Sequence, residues 1–333
     1  MIKKLIDIDL MKSILVFIDG TICDTRQRHH YGVESLEFNT REAILKDKPV
    51  PNSVTYLNTL SNHYKIVYIG ARPNFTIDFT KEWLDQEGFP EGDVYLGETQ
   101  TKRLKIIKEI KKKYNFLAGI GDRWDDNELH LELGCLSIIL KEFEGNWDFV
   151  YNYIIDYEKK MKIKHNEIHL KGKIEGLARV LPKLYNKYRD ELWEVYFNAV
   201  LNMAEESREE RRKEDLESFD RFNLNPESLK DFAKWEELIN EEGWENNEAY
   251  GLQDIETVEA TNNRFVNKIT RCRYAEIWRE LGFPEIGYEI HCHSDYAWWD
   301  HPAWNPKVRF KQPKTLMKGD DCCLFILFLP DDI

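Results

Sequence analysis

Two groups of residues in this chain of 333 have types and spacing suited to chemistry. The first lies in SILVFIDGTICDTR, Ser13 to Arg26, where an apolar run from Ile14 to Ile18 delivers Asp19, then Gly-Thr, then Asp24. A parallel strand presents carboxylates in this way at its C-terminal edge, where α/β sheets conduct metal and phosphate chemistry. Two residues before Asp19, where covalent phosphate chemistry needs its nucleophile, stands Phe17, whose ring can neither attack phosphorus nor bind a metal. The second group gathers late in the chain: of six cysteines, Cys272, Cys292, Cys322 and Cys323 follow residue 270, interleaved with His291, His293 and Asp295. That region is the place to look for thiol or metal chemistry, although a cysteine taken alone is more often a small buried hydrophobe.

The elements that position these groups follow from periodicity. From 12 to about 155, the strand patterns SILVFID, KIVYIGAR, DVYLG, FLAGIGDR and CLSIIL alternate with the helical patterns SVTYLNTLSNH, FTIDFTKEWLDQEG, TKRLKIIKEIKKKY and DNELHLELG. Such alternation implies a Rossmann-like α/β domain, with a parallel sheet, helices on both faces and a site at the strand C-termini. The lysines of KIIKEIKKKY read as a solvated face, with Leu104, Ile106, Ile107 and Ile110 turned inward. Residues 156–185 read as a charged join leading into helices; its His165 and His169 stand four apart but lack a nearby third ligand, which favours solvent exposure.

Beyond that join, the stretch from Leu184 to Phe219 has one long helical periodicity, and NPESLKDFAKWEELINEEG predicts a helix starting near Asn225 or Ser228 and ending at Gly243. After 250, IETVEATNNRFVNKIT predicts two strands around an Asn-Asn turn. CRYAEIWRELG is a short helix closed by Gly282, and the last 24 residues before Asp331 predict two strands joined at Lys318-Gly319-Asp320. The expected organisation is an N-terminal extension at 1–11, an α/β domain at 12–155, a linker or helical join at 156–185, and an α+β domain at 186–333 with helices first and antiparallel strands last.

Composition narrows the function classes. With 47 basic against 60 acidic side chains the net charge is −13, which disfavours binding to nucleic-acid backbones or anionic lipid. No apolar stretch reaches the roughly 20 residues that cross a bilayer. The cysteines are too few for a disulfide scaffold and show no CxxC pairing, so they read as thiols of a cytoplasmic protein. A small-molecule ligand is the expected partner, and a homo-oligomer is compatible with the sequence.

Residues 12–150 resemble the haloacid dehalogenase-like (HAD) superfamily, in a form close to small phosphatases related to phage polynucleotide 3′-phosphatases. The match is carried by Phe-Ile-Asp-Gly-Thr (17–21), Ile-Gly-Ala-Arg-Pro (69–73), Lys102 or Lys105, and GDRWDD (121–126). The resemblance implies a site of Asp19, Thr21, Arg72, Lys102, Asp122 and Asp126. Asp19 would be the general acid/base, its backbone carbonyl and Asp122 would ligate Mg²⁺, and Asp126 would support the metal. Two positions depart from the family: Phe17 replaces the nucleophile and Gly70 the phosphate-holding hydroxyl, so an aspartyl-phosphate is excluded and the domain reads as a pseudophosphatase. Its acids, with Arg72 and Arg26 or Arg28, could still bind an anion; a pure scaffold and residual metal-assisted hydrolysis stay open beside that reading.

The final third resembles the bacterial L-2-amino-thiazoline-4-carboxylic acid hydrolase-like family, through VNKITRCRYAEIWRELGFPEIG (266–287), CHSDYAWW with NPKVRF (292–310) and KTLMKGDDCCLF (314–325). The resemblance implies hydrolytic opening of a C–N bond in a small cyclic amidine or thiazoline bearing a carboxylate. Cys292, Asp295 and Cys323 match the family's signatures. A thiolate near His291 or His293 could attack the ring carbon while Asp295 orients the histidine or acts as base, and His293 is taken as its partner. Lys307, Arg309, Asn305 and Trp298 would grip the substrate. Two readings compete: a structural Zn²⁺ on Cys272, Cys292, Cys323 and one histidine, or simple packing of buried thiols. The GDDCCLF ending also resembles 4-vinyl reductase-type ligand-binding modules, which would make the chain a sensor with saturable binding and no product.

Overall fold

In the computed structural model, which describes residues 11–32, 35–188 and 190–330, the chain divides into two compact units, 1–157 and 158–333. The N-terminal extension expected at 1–11 lies, Met11 apart, outside the described residues.

The first unit is built on five parallel strands, in the order β5 (Gly92–Leu96), β4 (Lys65–Gly70), β1 (Lys12–Phe17), β6 (Asn115–Gly121) and β7 (Leu136–Ile139), while β2 (Cys23–Asp24) and β3 (Lys48–Pro49) form a small antiparallel ribbon. Successive side chains of a strand point to opposite faces. Ile14, Val16 and Ile18 therefore enter one core with Trp83 and Trp147, and Leu15 and Phe17 enter the other with Val67, Ile69, Ile107 and Leu129. Helices α1 (Arg41–Ile44), α2 (Ser53–Ser61), α3 (Ile77–Gln86), α4 (Gln100–Ile110) and α5 (Asp126–Leu133) cover the two faces. Thr99 caps α4 by accepting from the backbone N–H of Lys102, and the left-handed Gly134 (φ 74°) closes α5.

Residues 156–185, read as a linker or helical join, are helical throughout as part of α6 (Trp147–Tyr188). Trp147, Val150 and Ile154 of this helix enter the first unit's core, and Leu170 and Ile174 enter a core of the second. The many charges of this stretch occupy exposed positions between apolar residues at helical spacing, so the sequence lost its surface pattern without losing the helix. Its His165 and His169 are exposed, with stacked rings 6.1 Å apart.

In the second unit the long periodic stretch is two helices, α7 (Asp190–Glu206) and α8 (Arg208–Arg221), parted at Ser207, whose hydroxyl donates back to the Met203 carbonyl at 2.9 Å. Ser228 caps α9 (Leu229–Gly243). The hairpin β8 (Gln253–Ala260) and β9 (Arg264–Cys272) follows, then α10 (Arg273–Glu280), α11 (Pro284–Gly287), a π-helical turn (Tyr288–His293) and α12 (Asp295–Trp299). With β10 (Arg309–Lys311) and β11 (Cys323–Phe328) the strands form an antiparallel sheet in the order β10-β11-β9-β8. This is the α+β architecture expected, helices first and antiparallel strands last.

Candidate functional site

Each unit has a recess where its chemistry-bearing residues converge. In the first, the loops at the strand C-termini line a cavity of about 640 Å³. Asp19 sits there in a guanidinium clamp: Arg72 donates from Nη2 at 2.7 Å and from Nε at 2.9 Å, and Arg28 from Nη2 at 3.2 Å. Burial raises the Asp19 pKa, yet the charge and hydrogen bonds of Arg72, with Arg28 behind it, bring the net shift below the usual value.

The clamp uses up its own cations. Arg72 Nη1 donates to Thr80 and lies in the same cluster as Asp47, while Arg28 divides its nitrogens among Asp19, Asp47 and the Phe38 carbonyl. The exposed Arg26 is held by Asp24. Arg28 and Arg72 are thus held within the fold by Asp19, Asp47, Thr80 and the Phe38 carbonyl, while Arg72 also lines the recess. Lys102 is likewise turned away, 60% exposed and paired with Glu98; its neighbour Arg103 lines the recess and keeps a buried Nε without a partner.

Thr21 donates to Asp122 Oδ1 at 2.5 Å, and Asp122 Oδ2 is buried without a partner. Burial pushes the Asp122 carboxyl up to about 7. Gly20, at φ 87°, passes so close that a Cβ there would overlap that carboxyl. Asp126 accepts from the backbone N–H groups of Asp122 and Arg123 at 3.2 and 3.0 Å, and burial raises it to about 6.

Of the ligands expected for magnesium, Asp122 keeps a buried Oδ2 with no partner among the described residues, while the Asp19 carboxylate is held by two arginines and Asp126 accepts from backbone N–H groups. A hard divalent cation needs several converging oxygens. Among the described residues no three His, Cys, Asp or Glu side chains could hold a metal ion. Phe17 completes the change: it is 5% exposed, packed among Leu15, Val67 and Ile69, with its ring edge-on to His130 at 5.5 Å.

The second recess, about 390 Å³, lies wholly within the second unit. One face of the sheet supplies it: Gln253 and Ile255 on β8, Asn267 and Ile269 on β9, Cys323 and Phe325 on β11, each pair two residues apart. Cross-strand pairing of Cys323 with Ile269, and of Phe325 with Asn267, puts these side chains side by side. The opposite wall is helical and shows a three-to-four-residue rhythm of His291 and Cys292, Ser294 and Asp295, Trp298 and Trp299. Glu236 of α9, Tyr274 and Gln312 complete it, and Glu236 accepts from Asn267 Nδ2 at 3.2 Å.

Of the predicted residues, the cavity gathers Cys272, Cys292, Asp295, Trp298 and Cys323. It leaves out His293, which lies on the other face of the helical stretch, bonded to Glu289 at 2.7 Å and stacked on Phe197 at 4.5 Å. His291 faces the cavity instead, with a buried Nε2 lacking a partner. Lys307, Arg309 and Asn305 also lie outside: Lys307 is 73% exposed near Glu227, Arg309 Nη1 donates to the Pro306, Lys307 and Val308 carbonyls, and Asn305 braces the Pro226 carbonyl and the Lys307 N–H. Cys322 precedes the strand and lies outside too, its thiol directed to Asp321.

The electrostatics disfavour a thiolate and suit Asp295 to the base role expected of it. Burial pushes the Cys292 thiol up to about 12 and raises Cys272 and Cys323, so none is a ready thiolate at neutral pH. Thr315 ties two of them together: its hydroxyl donates to Cys292 Sγ at 3.5 Å, and the Cys323 thiol lies 3.7 Å from its oxygen. The thiols also do not close a zinc site, since no metal-binding trio forms among the described residues. His291 is held neutral, its pKa lowered to about 4 by burial. Asp295, with no hydrogen-bond partner among the described residues, is pushed by burial up to about 7. Of the two histidines the sequence offered, His291 is the one that lines the cavity. Sequence reasoning missed Glu236, Gln253, Asn267, Tyr274 and Gln312, and the period of two along β8 and β9 was a usable signal for Gln253 and Asn267.

The first unit carries Asp-Gly-Thr just beyond β1 and Gly-Asp at the end of β6. Residues 176–327, somewhat under half of the chain, match the family described as L-2-amino-thiazoline-4-carboxylic acid hydrolase. Similar solved structures include the class C acid phosphatase from Bacillus anthracis, at 18% identity and TM-score 0.34, covering 45% of this chain and 74% of that one. A haloacid dehalogenase-like family protein from Streptococcus pneumoniae matches at 15% identity and TM-score 0.32, covering 42% of this chain and 90% of that one. A curated protein of Bacillus cereus named "Putative nucleotidase" is 37% identical over 71 residues, which is 20% of this chain and 38% of that protein's length. The chain thus spans less than half of that relative.

Proposed function

We propose that the second unit is a hydrolase acting on a C–N bond of a small cyclic amidine, with Asp295 as the general base and the first unit as an accessory that forms no aspartyl-phosphate. The observation that carries this reading is the unpartnered Asp295 carboxyl, set in an aromatic-walled cavity and held near neutrality. A base poised near the operating pH is the most effective proton acceptor. The ionised carboxylate takes a proton from water as its oxygen bonds to the amidine carbon, and the departing ring nitrogen takes a proton back from the same carboxyl. One water is added and one C–N bond breaks. His291 Nε2 and Gln312 Oε1, both buried without partners among the described residues, would hydrogen-bond the ring or the water. The thiols, protonated and bridged by Thr315, shape the wall rather than attack.

Mass-spectrometric turnover of a panel of cyclic amidines and thiazolines tests this. The expected product is heavier by one water, and Asp295→Asn loses about a hundredfold or more in kcat, a larger loss than either Cys292→Ser or Cys323→Ser. A binding isotherm without product from any panel member favours the ligand-binding module instead.

A further inference from the structure

The cavity of the second unit holds two carboxyl groups and no opposing cation. Asp295 and Glu236 both face it, and among the described residues no lysine or arginine lines it. Tyr274, Trp298 and Trp299 present aromatic surface. Among the described residues Gln312 Oε1 is a buried acceptor lacking a donor and Asp295 has no hydrogen-bond partner, while His291 Nε2, also buried without a partner, can accept in its Nδ1–H tautomer. A ligand carboxylate here would be desolvated beside two acids with no positive partner, which costs several kcal/mol. A planar cation with several N–H groups meets the opposite conditions: acceptors for its donors, carboxylates for its charge and rings for its face. Arg211, whose guanidinium lies 4.6 Å from the Trp298 ring centroid, already uses that ring as a cation platform from outside the cavity.

We infer that this cavity selects a cationic amidinium-type ligand without a carboxylate, gripped by Asp295 and Glu236 between the aromatic walls. This rests on the hydrolase reading for the site but not on turnover, because charge selection is read from binding alone. The discriminating pair is 2-amino-2-thiazoline, a cation at neutral pH, and its 4-carboxylate, titrated calorimetrically into the full chain.

The expected result is that the carboxylate-free cation binds at least about tenfold more tightly, a difference of about 1.4 kcal/mol. Asp295→Asn and Glu236→Gln, which keep the shape of the side chains, should each erase most of that preference while unfolding at temperatures close to that of the parent. Equal or tighter binding of the 4-carboxylate would overturn the inference, as would failure of the cation to bind or its unchanged affinity in the double variant. A cation that binds tightly but gains no water would leave this inference standing and remove the hydrolase reading.

Discussion

At the scale of single residues, the chemistry turns on what burial does to each group. The thiols of Cys272, Cys292 and Cys323 are raised by burial, and Asp295 among them is raised to about 7. Because the active form of a base is ionised, kcat/KM should rise with pH and level off above an inflection near 7, the value to which burial moves Asp295. The charged or titratable groups sharing its cavity are Glu236, Tyr274, His291 and the thiols of Cys272, Cys292 and Cys323. An inflection near 9, or a rate that falls through 7, would point to a thiolate or an acid in its place. Phe17 makes the reverse case in the first unit, where an apolar side chain two residues before Asp19 packs in the core. Phe17→Asp should therefore not confer phosphatase activity, since Gly70 still lacks a hydroxyl, and it should destabilise the unit by at least about 3 kcal/mol. Phosphate release from an aryl phosphate by this variant would show that the clamp around Asp19 still permits the chemistry.

Among elements, the π-helical turn Tyr288–His293 decides which histidine serves the cavity. Successive helical residues differ in direction by about 100°, so His291 and His293 cannot share a face. The motif HCHSD announced the right neighbourhood, but the direction of each side chain depends on the turn that carries it, which local sequence does not encode. The strand pairs legible by their period of two were more informative: Cys323 before Phe325 and Asn267 before Ile269 already mark one face. Glu236 and Gln312 were illegible because only tertiary packing brings α9 and the strand that ends before Gln312 to the cavity. Gly287 anchors the start of the π turn, where a Cβ would meet Trp278 Cγ at 2.5 Å and Met317 Sδ at 2.9 Å. Gly287→Ala should cost about 1–3 kcal/mol by overpacking and weaken ligand binding as His291 and Cys292 shift. Thermal unfolding of the variant unchanged from the parent would refute that tight fit.

At the scale of the whole molecule, the fold classes of both units were legible from alternation and from the order of helices and strands, because burial of whole faces is a long-range average over many residues. The proton balance was not legible, since it depends on which acids the fold buries. Asp122, ordinarily near 3.8, is raised to about 7 in the folded protein. Between those values the native state holds a proton that the unfolded state has released, so this group's contribution to stability is lost as pH rises from about 4 to about 7. Denaturant titrations across that window should show the parent losing stability relative to Asp122→Asn as pH rises. Parallel curves would mean that Asp122 is ionised in the fold. Every residue lining the amidine cavity belongs to the second unit, so Asp122→Asn should leave amidine turnover unchanged.

The measurement that bears most directly on the central claim is turnover of 2-amino-2-thiazoline by the full chain, compared with Asp295→Asn, Cys292→Ser and Cys323→Ser under the same conditions. The account predicts a product heavier by one water, formed by the parent and reduced most by Asp295→Asn. Turnover that survives Asp295→Asn but fails in the cysteine variants would contradict it and return the chemistry to a thiol nucleophile.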